Sequence, residues 1–161
     1  NSPIVVDFVL SNNKNANGIT HVKKNKINFK IFDFKLRNND EKKILDILEK
    51  RKIKLICLAG FMKILSRNFI KKFKGKILNI HPSLLPKYKG LNTHERVIIN
   101  NEKFSGCTVH IVNANLDSGK IILQKQVKIN KKDNSQTLSK KILKQEHLLY
   151  PKALKKMFSK F

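Results

Sequence analysis

The sequence predicts an α/β fold, with a mostly parallel sheet flanked by helices and antiparallel strands in the C-terminal half. Runs rich in Ile, Val, Leu and Phe are typical of strands, and they occur at residues 4–10, 27–34, 54–59, 76–81, 106–112 and 120–129. Helix-type segments alternate with the first of these runs, an order that favours a parallel sheet. Only the loop of residues 113–119 separates the last two runs, which indicates an antiparallel pair.

Three segments show helical periodicity. Asp40 and Ser66 are predicted to cap the first two, and residues 135–159 form the third, where Pro151 predicts a kink. The inward-facing apolar positions, in chain order, are Ile44, Leu45, Ile47 and Leu48; Phe69, Ile70 and Phe73; and Leu138, Ile142, Leu148 and Leu149.

Length and composition predict one globular domain over residues 1–161, since 40% of the residues are hydrophobic. The chain begins at Asn1 and enters a strand almost at once, so we expect that an N-terminal piece is missing. No apolar run has the length of a membrane span. Cys57 and Cys107 lie in apolar runs and are interpreted as small buried thiols, which favours a cytoplasmic protein without a disulfide.

The net charge of +24 raises the hypothesis of a nucleic-acid partner. The lysines are spread along the whole chain, however, and aromatic side chains do not alternate with them as in RNA-binding surfaces. Solvated lysine faces are therefore favoured over a nucleic-acid platform. A basic surface would also attract a phosphorylated small-molecule substrate.

The strongest chemical signal is an amide, an imidazole and a carboxylate at loop positions. Asn79 and His81 end an apolar strand two residues apart, so their side chains face one side of the sheet. Asp117 lies in the loop before the last strand. Acyl transfer between two amines needs a donor for the tetrahedral oxyanion and a proton shuttle, and a carboxylate beside the shuttle favours its imidazolium form. The trio predicts such a transfer without a metal.

Other interpretations stay open on the residues alone. A histidine at a strand end is often structural, and Asp117 before Ser-Gly fits ordinary turn chemistry. His110 at mid-strand is interpreted as structural support. The spacing of the histidines and cysteines matches no zinc site, and Ser83 lacks the Gly-x-Ser-x-Gly elbow of serine hydrolases. A basic nucleic-acid-binding module is the alternative from another class.

Residues 58–91 contain Leu-Ala-Gly-Phe-Met-Lys-Ile-Leu-Ser and Asn-Ile-His-Pro-Ser-Leu-Leu-Pro-Lys-Tyr-Lys-Gly-Leu, and this run closely resembles the phosphoribosylglycinamide formyltransferase family. The similarity continues through residues 106–110, 116–119 and 145–147. It implies a Rossmann-like formyltransferase fold. It also implies transfer of a formyl group from the co-substrate 10-formyltetrahydrofolate to the glycinamide amine in purine synthesis, by a cytoplasmic monomer or homodimer that needs no metal.

The resemblance also implies roles for particular residues. Asn79 would bind the formyl oxygen and His81 would donate a proton, with Asp117 as its carboxylate partner. Gln145 and Glu146 would hold the glycinamide substrate. The folate-contacting residues would be Arg37, Met62, Lys63, Ile64, Leu65 and Asn79, with Asn113, Ala114, Asn115, Leu116 and Asp117 closing over the pterin.

Three departures from the family pattern accompany the resemblance. The chain begins just before the family's second strand, and the Gly-Ser-Asn-rich turn that cradles the substrate phosphate has no counterpart in it. Lys89 replaces a common proline, and Leu143 stands where a polar contact is frequent. Methionyl-tRNA formyltransferase and formyltetrahydrofolate deformylase share the Asn-x-His core and are the alternatives within the superfamily. The Lys-Tyr-x-Gly-Leu-x-Thr-His stretch favours the glycinamide enzyme over both.

Overall fold

The structure is a computed structural model that describes residues 4–158. The chain divides into two compact units, Asn1–Lys52 and Ile53–Phe161. In residues 4–158, no helix combines the length and the apolar character that crossing a bilayer requires.

Residues 4–52 of the first unit contain two strands and two helices. In chain order they are β1 Phe8–Ser11, α1 Asn17–Lys24, β2 Asn28–Ile31 and α2 Arg37–Lys50. The two strands pair in parallel, with Phe8 opposite Asn28 and Ser11 opposite Ile31. The apolar faces of the helices are buried at Ile19, Val22, Ile44 and Leu48.

Residues 53–158 of the second unit contain four strands and three helices. They are β3 Leu55–Leu58, α3 Arg67–Lys72, β4 Lys76–His81, α4 Thr93–Ile99, β5 Phe104–Ile111, β6 Ile121–Lys128 and α5 Ser135–Phe158. The sheet order is β3-β4-β5-β6, in which β3 and β4 are parallel and the other pairs are antiparallel. The hydrophobic core of this unit joins β4, β5, α4 and α5 through Ile80, Val97, Cys107, Val109, Leu138, Ile142, Leu149 and Ala153.

Side-chain caps begin two of these helices. Ser66 Oγ accepts a hydrogen bond from Phe69 N at 2.9 Å, as its predicted capping role requires. At the start of α5, Asn134 Oδ1 accepts from Thr137 N at 2.9 Å, and Thr137 Oγ1 accepts from Asn134 N at 3.0 Å. This reciprocal pair satisfies two N–H groups that a helix start leaves without partners.

The α/β fold and the antiparallel pair β5-β6 confirm the prediction, whereas the start of α2 and the presence of α1 and α4 correct it. Helix α2 begins at Arg37, so Asp40 lies buried in its first turn and is not its cap. The ion pair between Arg37 and Glu41, with Nε and Oε1 3.3 Å apart, supports this earlier start. Helices α1 and α4 were not predicted. The single-domain prediction stays a prediction, and Ser159, the last residue of the predicted C-terminal helix, lies outside the described residues.

Two side chains predicted to be buried are exposed. Leu148 is 58% exposed, because it lies about 100° around α5 from the buried stripe that contains Leu149. Cys57 is exposed and Cys107 is buried. Within the described part of the second unit β3 pairs with β4 alone, which leaves Cys57 near a sheet edge.

Gly106 on β5 leaves no space for a side chain. A Cβ there would collide with the Lys125 carbonyl oxygen and lie 2.7 Å from Leu84 Cδ2, whereas a Cβ at Gly18 in α1 meets no atom within 4 Å. We expect Gly106→Ala to lower the free energy of unfolding by about 1–3 kcal/mol. Gly18→Ala should raise it by about 0.4–1 kcal/mol. Urea denaturation of both variants checks these values. A urea midpoint of Gly106→Ala at or above that of the wild type would contradict the steric conflict at Gly106.

Candidate active site

Strand β4 places Asn79 and His81 beside β5. In the antiparallel register Asn79 is opposite His110 and His81 is opposite Thr108. Asn79 Nδ2 lies 3.3 Å from His110 Nε2, so the two polar side chains form a cross-strand pair. The sheet therefore brings His110, predicted from its mid-strand position to be structural support, into direct contact with a predicted catalytic residue.

Both ring nitrogens of His81 face oxygen acceptors. Nε2 lies 2.8 Å from the carbonyl oxygen of Tyr88, and Nδ1 lies 3.4 Å from Asp117 Oδ2. The side chains of His81 and Asp117 are largely buried, with exposed fractions of 7% and 9%. A neutral imidazole has one N–H, so only the imidazolium form donates to both acceptors.

Asp117 reaches this position from a strained loop. Its φ of 45° lies in the left-handed region, which costs a residue with a side chain about 1–2 kcal/mol. The Gly90 N–H donates to Asp117 Oδ2 at 2.9 Å and holds the carboxylate in place. Asp117 Oδ1 lies 3.7 Å from His110 Nε2, so one carboxylate lies between two imidazoles.

His110 has a defined role in hydrogen bonding. Its Nδ1 lies 3.1 Å from the Ile111 carbonyl oxygen and must donate, since a carbonyl only accepts. Burial lowers the pKa of His110 from its ordinary value, although the Ile111 carbonyl and Asp117 act in the opposite direction. A neutral ring that donates from Nδ1 has a bare Nε2, which accepts a hydrogen from the Asn79 amide. This fixes the direction in which the amide points.

The loop after β4 is attached to the sheet by the side chains of Thr108 and Gln124. Thr108 Oγ1 donates to the Ser83 carbonyl oxygen at 2.7 Å and accepts from Leu85 N at 3.1 Å. Gln124 Nε2 adds bonds to Thr108 Oγ1 and to the Leu85 carbonyl oxygen, at 2.9 and 2.8 Å. The turn that follows His81 is thus fixed to β5 and β6.

The other predicted site residues of the second unit lie on three segments. Met62 and Ile64, between β3 and α3, are 70% and 66% exposed, an apolar surface without a cover in the described residues. The exposed part of the 113–119 loop includes Leu116, which is 52% exposed. The remaining members on these segments are exposed Lys63, Asn113, Ala114 and Asn115 and half-buried Leu65, Gln145 and Glu146.

Arg37 belongs to the first unit, where it pairs with Glu41, and its predicted contact with folate stays a prediction. In residues 4–158, no group of three or more His, Cys, Asp or Glu side chains has an arrangement that could hold a metal ion.

A family model described as formyl transferase matches residues 1–154. The chain belongs to the formyl transferase family. The resemblance of residues 58–91 to this family is thereby confirmed, as is the α/β fold class, since solved members have the same fold.

Relatives of this formyl transferase chain include single-function and multifunctional proteins. The phosphoribosylglycinamide formyltransferase of Haemophilus influenzae is 41% identical over 156 residues, which are 95% of this chain and 74% of that protein. The trifunctional purine biosynthetic protein adenosine-3 of Homo sapiens is 41% identical over 157 residues, which are 96% of this chain and 16% of that protein. The chain therefore spans about one sixth of the trifunctional relative.

Solved structures with the same fold carry the same description. The crystal structure of phosphoribosylglycinamide formyltransferase from Bacillus halodurans aligns with a TM-score of 0.92 at 35% identity, covering 98% of this chain and 83% of that one. The corresponding crystal structure from Anaplasma phagocytophilum aligns with a TM-score of 0.87 at 38% identity, covering 96% of this chain and 74% of that one.

Proposed function

We propose that this chain transfers a formyl group from 10-formyltetrahydrofolate to the amine of phosphoribosylglycinamide. The observation that carries the proposal is the cluster of Asn79, His81 and Asp117 at the end of β4, in a chain 41% identical to a named phosphoribosylglycinamide formyltransferase. The cluster contains an oxyanion donor, a proton carrier and a carboxylate in contact with that carrier.

Asn79 would bind the formyl oxygen. Its amide nitrogen carries two hydrogens, and one of them is directed to His110 Nε2. The other is available for the oxygen that becomes negative when the acceptor amine attacks the formyl carbon. Because His110 already orients the amide, the donor needs no rearrangement during the reaction, which is the basis of electrostatic preorganisation.

His81 would move the proton through Nδ1. Nε2 donates to the Tyr88 carbonyl, so the proton would be exchanged with a reacting group at Nδ1, the ring nitrogen beside Asp117. In the reaction the acceptor nitrogen forms a bond to the formyl carbon and loses a proton. The bond from that carbon to the folate nitrogen breaks, and the folate nitrogen gains a proton. Between these two proton transfers His81 is an imidazolium, which Asp117 stabilises from 3.4 Å.

The two substrates would bind on either side of this cluster. The exposed apolar side chains of Met62 and Ile64, together with Leu65 and the 113–119 loop, suit a flat pterin ring. Glu146 on α5 suits a positively charged amine or a sugar hydroxyl, and Gln145 adds an amide beside it. The basic surface of the chain would attract the substrate phosphate.

A direct assay tests the function. The purified chain is mixed with 10-formyltetrahydrofolate and phosphoribosylglycinamide, and the release of tetrahydrofolate is measured. We expect release that requires both substrates and yields formylated glycinamide ribonucleotide. Release of tetrahydrofolate at the same rate without the acceptor would indicate a formyltetrahydrofolate deformylase. Formylation of methionyl-tRNA alone would indicate a methionyl-tRNA formyltransferase. Either result would overturn the proposal.

Glu146 provides a pH prediction. Burial raises the pKa of Glu146 from its ordinary value, while nearby His147 lowers it. The carboxylate that would bind the substrate is therefore lost as the pH falls through this raised pKa. We expect the KM for phosphoribosylglycinamide to rise over that acidic range, and Glu146→Gln to give a high KM with a flat profile. Exposed Glu49→Gln in α2 is the control and should behave as wild type. A Glu146→Gln profile that still bends would assign the titration to another group.

A further inference from the structure

Three consecutive residues, 88–90, each contact a different part of the candidate site. The Tyr88 carbonyl accepts from His81 Nε2 at 2.8 Å, and Gly90 N–H donates to Asp117 Oδ2 at 2.9 Å. Between them, Lys89 Nζ donates to Ser118 Oγ at 2.6 Å. The first two contacts use the main chain, whereas the third depends on the Lys89 side chain.

The contact of Lys89 continues into the 113–119 loop. Ser118 Oγ accepts from the ammonium and donates its own hydrogen to the Leu116 carbonyl oxygen at 2.7 Å. A charged donor polarises the hydroxyl that it binds, so the second bond is strengthened by the first. Lys89 is thereby connected to residues on both sides of Asp117, the residue with the left-handed backbone.

The 88–90 segment is itself held firmly. Arg96 Nη1 on α4 donates to the Lys89 carbonyl at 2.7 Å and to the Leu91 carbonyl at 3.3 Å. Its guanidinium lies 5.4 Å from the centre of the Tyr88 ring. The Tyr88 hydroxyl donates to Glu102 Oε1 at 2.9 Å. These contacts hold residues 88–90 in place. The 113–119 loop is more exposed, and it is the segment whose conformation the Lys89 contact restrains.

We propose that Lys89 is a positioning residue for Asp117. Its ammonium, acting through Ser118, keeps the 113–119 loop in the conformation that places Asp117 Oδ2 against His81. The inference rests on the proposed function for its effect on catalysis, but its effect on the loop does not depend on that function.

The test is a double-mutant cycle of Lys89→Met and Ser118→Ala, with Lys71→Met as the matched control. Lys71 is an exposed lysine of α3 outside the candidate site. Hydrogen exchange of the 113–119 amides is measured in the free protein. We expect each single variant to exchange about two- to five-fold faster, as suits an exposed charged contact. The double variant should be no faster than either single one, and Lys89→Arg should restore protection.

The same variants are then assayed for formyl transfer. We expect kcat to fall about two- to five-fold with Lys89→Met and Ser118→Ala, while the KM for phosphoribosylglycinamide and the Lys71→Met rates stay at wild-type values. Unchanged exchange in Lys89→Met, or additive effects in the double variant, would overturn the positioning role. If the wild-type chain transfers no formyl group, the proposed function fails, and the exchange data alone decide the role of Lys89.

Discussion

Replacing His81 by alanine is expected to lower kcat for formyl transfer by about 100- to 10,000-fold, the range that a positioned proton-transfer group contributes. The ring is buried, and its Nδ1 lies 3.4 Å from Asp117 Oδ2. Its removal would leave the acceptor and folate nitrogens without a proton carrier. Stopped-flow or steady-state measurement of tetrahydrofolate release checks this result.

Two comparisons make the His81 result specific. His21→Ala replaces an exposed histidine of α1 and should turn over as fast as wild type. His81→Asn keeps a polar side chain in the cavity but carries no titratable proton, so its rate should stay near that of His81→Ala. A His81→Ala protein that folds normally and retains the wild-type kcat would eliminate the proposed proton pathway.

Replacing Asn79 by alanine should cost about 100- to 1,000-fold in kcat, which is typical for the loss of one oxyanion donor. The loss should appear in kcat more than in KM, because the amide would bind the oxygen most tightly when it becomes negative. Exposed Asn68→Ala in α3 is the matched control for an asparagine removed from the surface.

His110 offers a second check on the role of Asn79. His110→Phe would remove the acceptor at 3.3 Å and release the Asn79 amide from its fixed direction. Its effect on kcat should be large in the wild-type background and small in Asn79→Ala. Equal effects in both backgrounds would mean that His110 acts independently of Asn79.

Local sequence patterns were sufficient to predict the layers of the fold and the position of Asn79 and His81. Apolar strand runs and helical periodicity are properties of neighbouring residues, and they predicted the strands seen in residues 4–158 to within a few residues. The two-residue spacing of Asn79 and His81 also decides, by itself, that both side chains face the same way.

The contact of His110 could not be predicted in the same way. It depends on the antiparallel register of β4 and β5, which places Asn79 opposite His110. A shift of one residue would have turned His110 to the opposite face of the sheet. Register is set by the packing of the whole sheet, so the sequence offered only a histidine in the middle of a strand. The start of α2 was also misplaced: the helix begins at Arg37, whose Nε pairs with the buried Glu41 carboxylate one turn later, and Asp40 is itself buried in the first turn.

The contacts from residues 88 and 90 have a consequence for mutational scanning. A carbonyl of Tyr88 orients His81 and an amide of Gly90 holds Asp117, so neither contact uses a side chain. A conventional alanine scan would therefore leave the Tyr88 carbonyl in place and undervalue this residue. Backbone substitution reveals such contacts. An ester in place of the Gly90 amide would remove the N–H that donates to Asp117 Oδ2 and leave every side chain intact. Substitution of Tyr88 would act instead through its ring and hydroxyl, which contact Arg96 and Glu102.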